Sequence, residues 1–256
     1  MNITHTELRI PNQNLVNLDL SSLEHYVGIS RTNEIITPYI TFPISSAAHH
    51  PSIRLLPDGG FVIIDVRTRA NKENCFFYDD QGNLERSLYV GDGISELLVF
   101  ESKIVVSYFD EGVLEGQIPS REGITIFDLK GNILYGYNSN HGGLQIIDCY
   151  CMCQREKNTV LFFAYTKFVL VELNIQTHEE RQIVVPPVLN GSNAITAKGP
   201  NIYFHSPYHD RGGIYCWSER HSVVERVGEY EGILRGLEGG MFLETQAKGF
   251  NLIVME

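Results

Sequence analysis

The stretch that decides the fold is Phe77-Tyr78-Asp79-Asp80-Gln81-Gly82-Asn83-Leu84, which predicts the end of one strand, a tight turn and the start of a second strand. A close copy of it is Ile126-Phe127-Asp128-Leu129-Lys130-Gly131-Asn132-Ile133. In both copies the Asp supplies a turn hydrogen bond, and the Gly tolerates the positive φ that a tight hairpin needs. Weaker copies begin at Asn174 and Ser218, so the turn recurs with a period of 44–49 residues.

A second repeating signal lies nearer the N-terminus of each period. Polar or glycine-rich residues there lead into short apolar strands, which are predicted near Ile53, Ile94, Leu144, Ala194 and Ile233. Strongly β-prone runs, such as residues 61–64 and 160–163, lie between the two signals. Each period therefore carries four strands, and four antiparallel strands per about 40–50 residues are typical of one blade of a β-propeller.

The sequence predicts an all-β fold, a five-bladed β-propeller of four-stranded antiparallel blades, in one domain that spans residues 1–256. The fifth period stops before its outer strand, and an open sheet edge exposes unpaired backbone groups. We therefore expect an N-terminal segment, either Glu7–Pro11 or Asn14–Leu20, to supply the missing strand. The alternative is six blades, with the sixth built from residues 14–52, although Ile35–Ser45 reads as an insertion.

Three further motifs fall within roughly residues 54–171. They are Gly91-Asp92-Gly93-Ile94, Ser107-Tyr108-Phe109-Asp110-Glu111-Gly112-Val113, and the Phe127-Asp128 pair with Gly131. Together they resemble an uncharacterised family of bacterial β-propeller-like proteins. The resemblance implies the propeller fold. It implies no activity, because none is assigned to that family.

Composition and charge exclude several classes of protein. The 256 residues include 20 Lys and Arg against 31 Asp and Glu, which gives a formal net charge of −11. Nucleic-acid and anionic-membrane binding depend on Lys and Arg clusters, so we predict neither kind of partner. No apolar run reaches the roughly 18 residues of a membrane-spanning helix, and the N-terminal residues do not resemble a signal peptide. We therefore expect a cytoplasmic protein.

The five cysteines fit this expectation, because an odd number without a signal peptide predicts free thiols. Cys149, Cys151 and Cys153 alternate along one predicted strand, which would put all three on one face. No Cys-x-x-Cys pair occurs elsewhere to complete a zinc site. We interpret this run as a buried structural strand, and a metal or redox role is the alternative.

One polar side chain precedes each predicted inner strand. In a propeller, the loops that lead into the inner strands open at the same end as the loops between the two middle strands. The residues before the inner strands are His50, Asp92, His141, Asn193 and Glu231. The middle loops add Asp110, Glu111, His209, Asp210 and Arg211. Because function concentrates on loops that a rigid scaffold holds, these residues predict a binding site at the mouth of the central channel. The alternative is that they are ordinary turn residues.

Two functions fit such a site. The first is a non-catalytic module that needs no cofactor and binds a protein partner. The negative charge favours a basic partner and an immunity-like or antitoxin-like role. The alternative is a metal-dependent hydrolase or lyase, similar in kind to the calcium-dependent propeller lactonases. In that hypothesis Asp92, His141 and Glu231 lie close together and hold Ca²⁺, Mg²⁺ or Zn²⁺, and His141 or His50 acts as a base. The sequence contains no nucleophile-elbow, phosphate-loop or dinucleotide motif, so we favour the first function.

Overall fold

The computed structural model describes residues 3–10, 14–45, 48–68, 72–206 and 208–256, with residues 221 and 222 described by their backbone alone. These residues form 24 β-strands and four short helices. In chain order the strands are β1 (Ile3–Arg9), β2 (Leu15–Ser22), β3 (His25–Ser30), β4 (Glu34–Ile36), β5 (Thr41–Pro43), β6 (Pro51–Leu55), β7 (Phe61–Asp65), β8 (Cys75–Tyr78), β9 (Leu84–Leu88), β10 (Ile94–Val99), β11 (Lys103–Tyr108), β12 (Ile124–Asp128), β13 (Ile133–Gly136), β14 (Asp148–Glu156), β15 (Thr159–Tyr165), β16 (Val169–Asn174), β17 (Glu180–Val184), β18 (Ala194–Lys198), β19 (Asn201–His205), β20 (Gly213–Ser218), β21 (His221–Glu229), β22 (Arg235–Leu237), β23 (Met241–Gln246) and β24 (Gly249–Met255).

The helices are α1 (Asp110–Glu115), α2 (Tyr137–Asn140) and two 3₁₀ turns (Ser120–Glu122 and Pro187–Leu189). None of the helices within the described ranges is long and apolar enough to cross a lipid bilayer.

The strands form six four-stranded antiparallel sheets, which are the blades of a β-propeller. Blade one is β2–β5, blade two is β6–β9, blade three is β10–β13, blade four is β14–β17, blade five is β18–β21, and blade six is β22–β24 with β1. The predicted propeller of four-stranded blades is therefore confirmed. The number of blades is six, as in the alternative, and the prediction of five was wrong.

Blade one is the blade that the five-blade prediction missed. Its outer strands β4 and β5 have three residues each. A turn in which Thr37 N donates to Ile40 O at 3.0 Å joins them, in place of the Asp-x-x-Gly-Asn turn of blades two and three. Such short strands carry too few side chains to show a period of two, and the segment Ile35–Ser45 consequently reads as an insertion.

The N-terminal strand completes blade six, as predicted. In the strand order of this sheet, β1 lies beside β24 at the outer edge. The strand covers Ile3–Arg9 and so overlaps the predicted segment Glu7–Pro11, of which Pro11 lies outside the described residues. The other candidate, Asn14–Leu20, belongs instead to β2 of blade one. The Thr4 hydroxyl donates to Glu256 Oε1 at 2.8 Å and ties β1 to the residue that follows β24.

The chain divides into two compact units. Unit 1 comprises Met1–Leu8, Ile146–Glu244 and Asn251–Glu256, and contains blades four and five and most of blade six. Its apolar core forms two clusters, one between blades four and five and one between blades five and six. Unit 2 comprises Arg9–Gln145 and Thr245–Phe250, and contains blades one to three with a cluster between each neighbouring pair. The predicted single domain over residues 1–256 stays a prediction.

A buried ion pair joins inner strands within unit 2. Arg54 of β6 and Glu96 of β10 are 5% and 7% exposed, and their side chains are in direct contact. Arg54 Nη1 also donates to Asn17 Oδ1 of β2 at 3.0 Å and to Ser52 Oγ at 2.9 Å. Arg54 Nε donates to Leu97 O at 3.1 Å. Because these hydrogen bonds replace the lost water, the two charges remain buried and connect the inner strands of three blades.

Three of the five predicted inner strands are confirmed, since Ile53 lies within β6, Ile94 begins β10 and Ala194 begins β18. The other two inner strands begin later than predicted. Strand β14 begins four residues after Leu144, and β22 begins two residues after Ile233. The segment before β14 instead contains the helix α2, which no sequence pattern indicated.

The cysteine-rich run is a buried structural strand, as predicted. All five cysteines are buried and none forms a disulfide, and desolvation raises the pKa of the Cys151 thiol well above its usual value. The prediction that three sulfurs share one face was wrong, because a β-bulge at Tyr150 interrupts the alternation between Cys149 and Cys151. Cys151 and Cys153 belong to the core between blades four and five.

Candidate functional site

A polar cavity of about 860 Å³ opens at one end of blades two and three, within unit 2. It lies among the loop before β6, the loop between β7 and β8, and the loop before β10. Its charged and imidazole side chains are His49, His50, Asp65, Arg67, Lys72, Glu73 and Asp92. Loops before inner strands and a loop between middle strands therefore share one end of these blades, as the sequence predicts for a propeller.

Arg67 lies at the centre of the charged cluster in this cavity. Its Nε is 3.4 Å from Asp92 Oδ1, and its Nη1 donates a hydrogen bond to Glu111 Oε2. The guanidinium carbon lies 5.3 Å from the centre of the Phe109 ring, a cation–π distance. The hydrogen bond with Glu111 raises the pKa of Arg67, so the side chain stays cationic. Two acidic residues and one aromatic ring thus hold a half-exposed arginine in one position.

The loops that carry this cluster are fixed to one another by backbone contacts. Thr68 N donates to Asp92 Oδ1 at 2.6 Å, and Asp92 N donates to Ser120 Oγ at 2.8 Å. A Cβ atom on Gly112 would lie 2.4 Å from Asp92 O, so only glycine permits this approach. The loop before β10 and the loop between β11 and β12 therefore pack directly against each other.

Two buried polar residues support the floor of the cavity. The Asp65 carboxylate accepts hydrogen bonds from His49 N and His50 N, both at 2.9 Å. Asn74 is 1% exposed, donates to Asp65 O and Gly91 O, and accepts a hydrogen bond from Val90 N. These two side chains fix the backbone before β6 and before β10, because they satisfy groups that water would otherwise bind.

The loop between β11 and β12, which carries Glu111, also exposes apolar side chains. It contains α1, whose second residue is Glu111, and it runs from Phe109 to Gly123. The side chains of Leu114 and Ile118 in this loop are 67% and 60% exposed. Large exposed apolar side chains thus belong to the same loop as Glu111, the partner of Arg67.

The structure brings together three of the predicted site residues of unit 2. His50 and Asp92 line the cavity, and Glu111 contacts the Arg67 that lies in it. Asp110 is exposed at the start of α1, where its Oδ1 accepts a hydrogen bond from Glu111 N at 2.8 Å. His141 is separate from these cavity-lining residues. Its ring stacks on Tyr137 with centroids 4.5 Å apart, and six residues lie between it and β14.

The predicted site residues of unit 1 make mainly local contacts. Asp210 accepts hydrogen bonds from the Tyr215 hydroxyl and from Arg226 Nε, and these bonds lower the pKa of the Asp210 carboxyl. Asn193 N donates to His205 O at 3.2 Å and so continues the ladder between β18 and β19. The remaining three are exposed loop residues: His209, Arg211 and Glu231.

Sequence reasoning missed Arg67, Asp65 and Asn74. Asp65 follows four buried apolar residues in β7. A charged residue at the end of such a strand is the sequence signal that could have identified it as a site residue. The described residues contain no group of three or more His, Cys, Asp or Glu side chains that could hold a metal ion. The set of metal ligands Asp92, His141 and Glu231 therefore stays a prediction.

Comparison with solved structures defines the class of protein, because the similar structures are β-propellers. Streptogramin B lyase matches with a TM-score of 0.59 and 11% identity, over 100% of this chain and 99% of its own. YCF48, solved bound to a D1 peptide, matches with a TM-score of 0.60 and 8% identity, over 98% of this chain and 97% of the YCF48 chain. The WD40 β-propeller domain of Doa1 matches with a TM-score of 0.55 and 9% identity, over 98% of this chain and 96% of the Doa1 domain.

At these identities the likeness concerns the fold alone. No protein-family model and no curated protein matches the sequence. The resemblance to the uncharacterised bacterial family therefore stays a prediction.

Proposed function

We propose that this chain is a non-catalytic binding module that uses the end of blades two and three with the Arg67 cavity to bind a protein partner. The observation that carries the proposal is the surface formed by the Arg67 cluster and the loop between β11 and β12. There, exposed Leu114 and Ile118 share a loop with Glu111, which contacts Arg67, and Gly112 of the same loop packs against the backbone of Asp92.

The chemistry of this surface suits a protein more than a small molecule. Exposed apolar side chains rimmed by charged groups are a common feature of protein–protein interaction sites. Arginine and aromatic residues in rigid positions contribute strongly to such interfaces, because little side-chain entropy is lost when the partner binds. Arg67 is already held over Phe109 by Asp92 and Glu111, so it is in place before a partner arrives.

The charge of the chain supports a basic partner. A formal net charge of −11 attracts basic proteins over long range and accelerates their association at low salt. An immunity-like or antitoxin-like role towards a basic toxin is the finer form of this proposal. A cytoplasmic location is also part of the proposal, and five cysteines without a disulfide support that location. Nothing in the described residues specifically favours the alternative of a metal-dependent hydrolase or lyase.

The test is affinity capture from the native host at low salt, with the purified chain as bait and the captured proteins identified by mass spectrometry. The variant Leu114→Asp/Ile118→Asp should lose the proteins that the wild type retains, because it places charge in the apolar part of the surface. The control Val184→Asp changes an 86% exposed valine of β17 and should retain them.

Three results would contradict the proposal. The first is that the wild type retains no protein, and the second is that the Leu114→Asp/Ile118→Asp variant retains the same proteins as the wild type. The third is that Val184→Asp loses these proteins to the same extent as the Leu114→Asp/Ile118→Asp variant. Captured proteins should also dissociate as salt rises if charge attraction contributes to binding.

A further inference from the structure

A second cavity lies at the other end of blades one and two. Because neighbouring strands run antiparallel, the turns β2–β3, β4–β5, β6–β7 and β8–β9 share one end, and the loops around the Arg67 cavity share the opposite end. The cavity among these four turns has a volume of about 270 Å³. Its apolar lining consists mainly of Tyr26, Val27, Tyr39, Ile40, Phe42 and Phe61.

The walls of this cavity are formed by close packing. Phe61 stacks on Tyr78 with ring centroids 5.1 Å apart and an angle of 13° between the rings. Phe42 of β5 packs over Gly82 in the β8–β9 turn, where a Cβ atom would lie 2.4 Å from Phe42 Cε2. Gly82 also has a φ of 83°, so glycine is needed both for the turn and for the approach of the ring.

The rim of the cavity exposes apolar side chains on a well-bonded turn. Tyr39 and Ile40 are 81% and 56% exposed. Ile40 N donates to Thr37 Oγ1 at 3.1 Å, and Thr37 N donates to Ile40 O at 3.0 Å. The turn therefore holds two large apolar side chains out of the core and beside the opening.

The charged side chains of these four turns are all acidic. The residues of the four turns and their flanks, 22–27, 37–42, 55–61 and 78–84, include no Lys or Arg. Their four carboxylates belong to Glu24, Asp58, Asp79 and Asp80, of which Glu24, Asp58 and Asp80 are exposed. Hydrogen bonds from Asn83 lower the pKa of Asp79, so this carboxylate remains charged well into the acid range.

We infer that this cavity is a docking site for a basic segment of a partner protein, which inserts one large apolar side chain between blades one and two. The volume is just below the lower limit of about 300 Å³ for small-molecule pockets, and it suits one or two side chains. Lys and Arg on either side of the inserted residue face the acidic rim. The site is separate from the surface of the proposed function, and neither depends on the other.

The experiment uses fluorescein-labelled nonapeptides that have alternating Lys and Arg flanks around a central Trp, Leu or Ala. Fluorescence anisotropy at low salt gives the Kd of each peptide for the full chain. Burial of the central side chain should make the Trp or Leu peptide bind about tenfold or more tightly than the Ala peptide. The variants Ile40→Asp and Asp58→Lys/Asp80→Lys should each weaken binding of the Trp peptide by about tenfold. All these side chains are exposed, so the thermal melts should stay close to that of the wild type.

Two control variants separate this site from general attraction and from the proposed function. Glu156→Lys makes the same change of charge as each Asp→Lys change, at an exposed position in unit 1, and should alter the Kd by less than about twofold. Leu114→Asp/Ile118→Asp should leave peptide binding unchanged. The inference is overturned if no peptide binds, if the Ala peptide binds as tightly as the Trp peptide, if the cavity variants bind like the wild type, or if Glu156→Lys weakens binding as much as they do.

Discussion

Replacement of Glu96 by Gln removes the carboxylate that faces Arg54 and leaves a guanidinium that is 5% exposed. Removal of one partner from a buried ion pair costs about 3–5 kcal/mol, because the remaining charge has neither water nor a counter-charge. The Gln amide oxygen keeps one acceptor for Arg54, so we expect the lower limit, about 3 kcal/mol. For a cooperative unit of roughly 150 residues this corresponds to a fall in Tm of about 6–12 °C.

The assay is urea denaturation followed by circular dichroism, with thermal melts in parallel. The double variant Arg54→Met/Glu96→Leu removes both charges and should lie within about 1 kcal/mol of the wild type. Glu219→Gln is a matched control, because Glu219 pairs with Arg181 on the surface and should cost less than about 1 kcal/mol. A cost below about 1 kcal/mol for Glu96→Gln, or an equal cost for the double variant, would refute the reasoning.

Three further predictions concern the fold. Deletion of residues 1–9 removes β1 and exposes β24 as an edge, so the thermal melt should shift down cooperatively; an unchanged melt would contradict the role of β1 in blade six. Gly82→Ala should destabilise more than Gly59→Ala, because both positions have positive φ and only Gly82 packs against Phe42; equal urea midpoints would contradict this. Burial lowers the pKa of His205, so the unfolded chain binds a proton more readily than the folded chain, and the free energy of unfolding should fall as the pH drops below about 6.5. His205→Gln should flatten this part of the profile in urea titrations from pH 5 to 7.5, and an unchanged slope would contradict it.

The repeated turn predicted the hairpins correctly because its chemistry is local. Asp79 Oδ1 accepts hydrogen bonds from Gln81 N and Asn83 N, and Asp128 Oδ1 accepts the matching pair from Lys130 N and Asn132 N. Because the Asp side chain bonds to its own turn, the whole motif lies within five consecutive residues and can be recognised from the sequence. Blade one uses a different turn and strands of three residues, so the same search cannot find it.

The candidate site was less predictable because it depends on contacts between loops. Asp92 and Glu111 were recognised as residues of converging loops, and the structure brings both to Arg67. Arg67 itself follows β7 without any motif, and only the folded chain shows that it contacts both carboxylates. His141 was assigned to the same site through a strand start that is four residues too early, which shows how strongly such a prediction depends on register.

The pairing of β1 with β24 has a consequence for the order in which the chain folds during synthesis. About 240 residues separate the two strands, so at roughly 5–20 residues per second β1 is made some tens of seconds before its partner. During that time its backbone groups are available to any other strand, including those of neighbouring nascent chains. The sequence of β1, ITHTELR, is mostly polar and carries Glu7 and Arg9, a composition that discourages such pairing. A circular permutant with β1 joined after β24 would make the two strands in immediate succession, and it should refold faster and aggregate less during synthesis than the natural order.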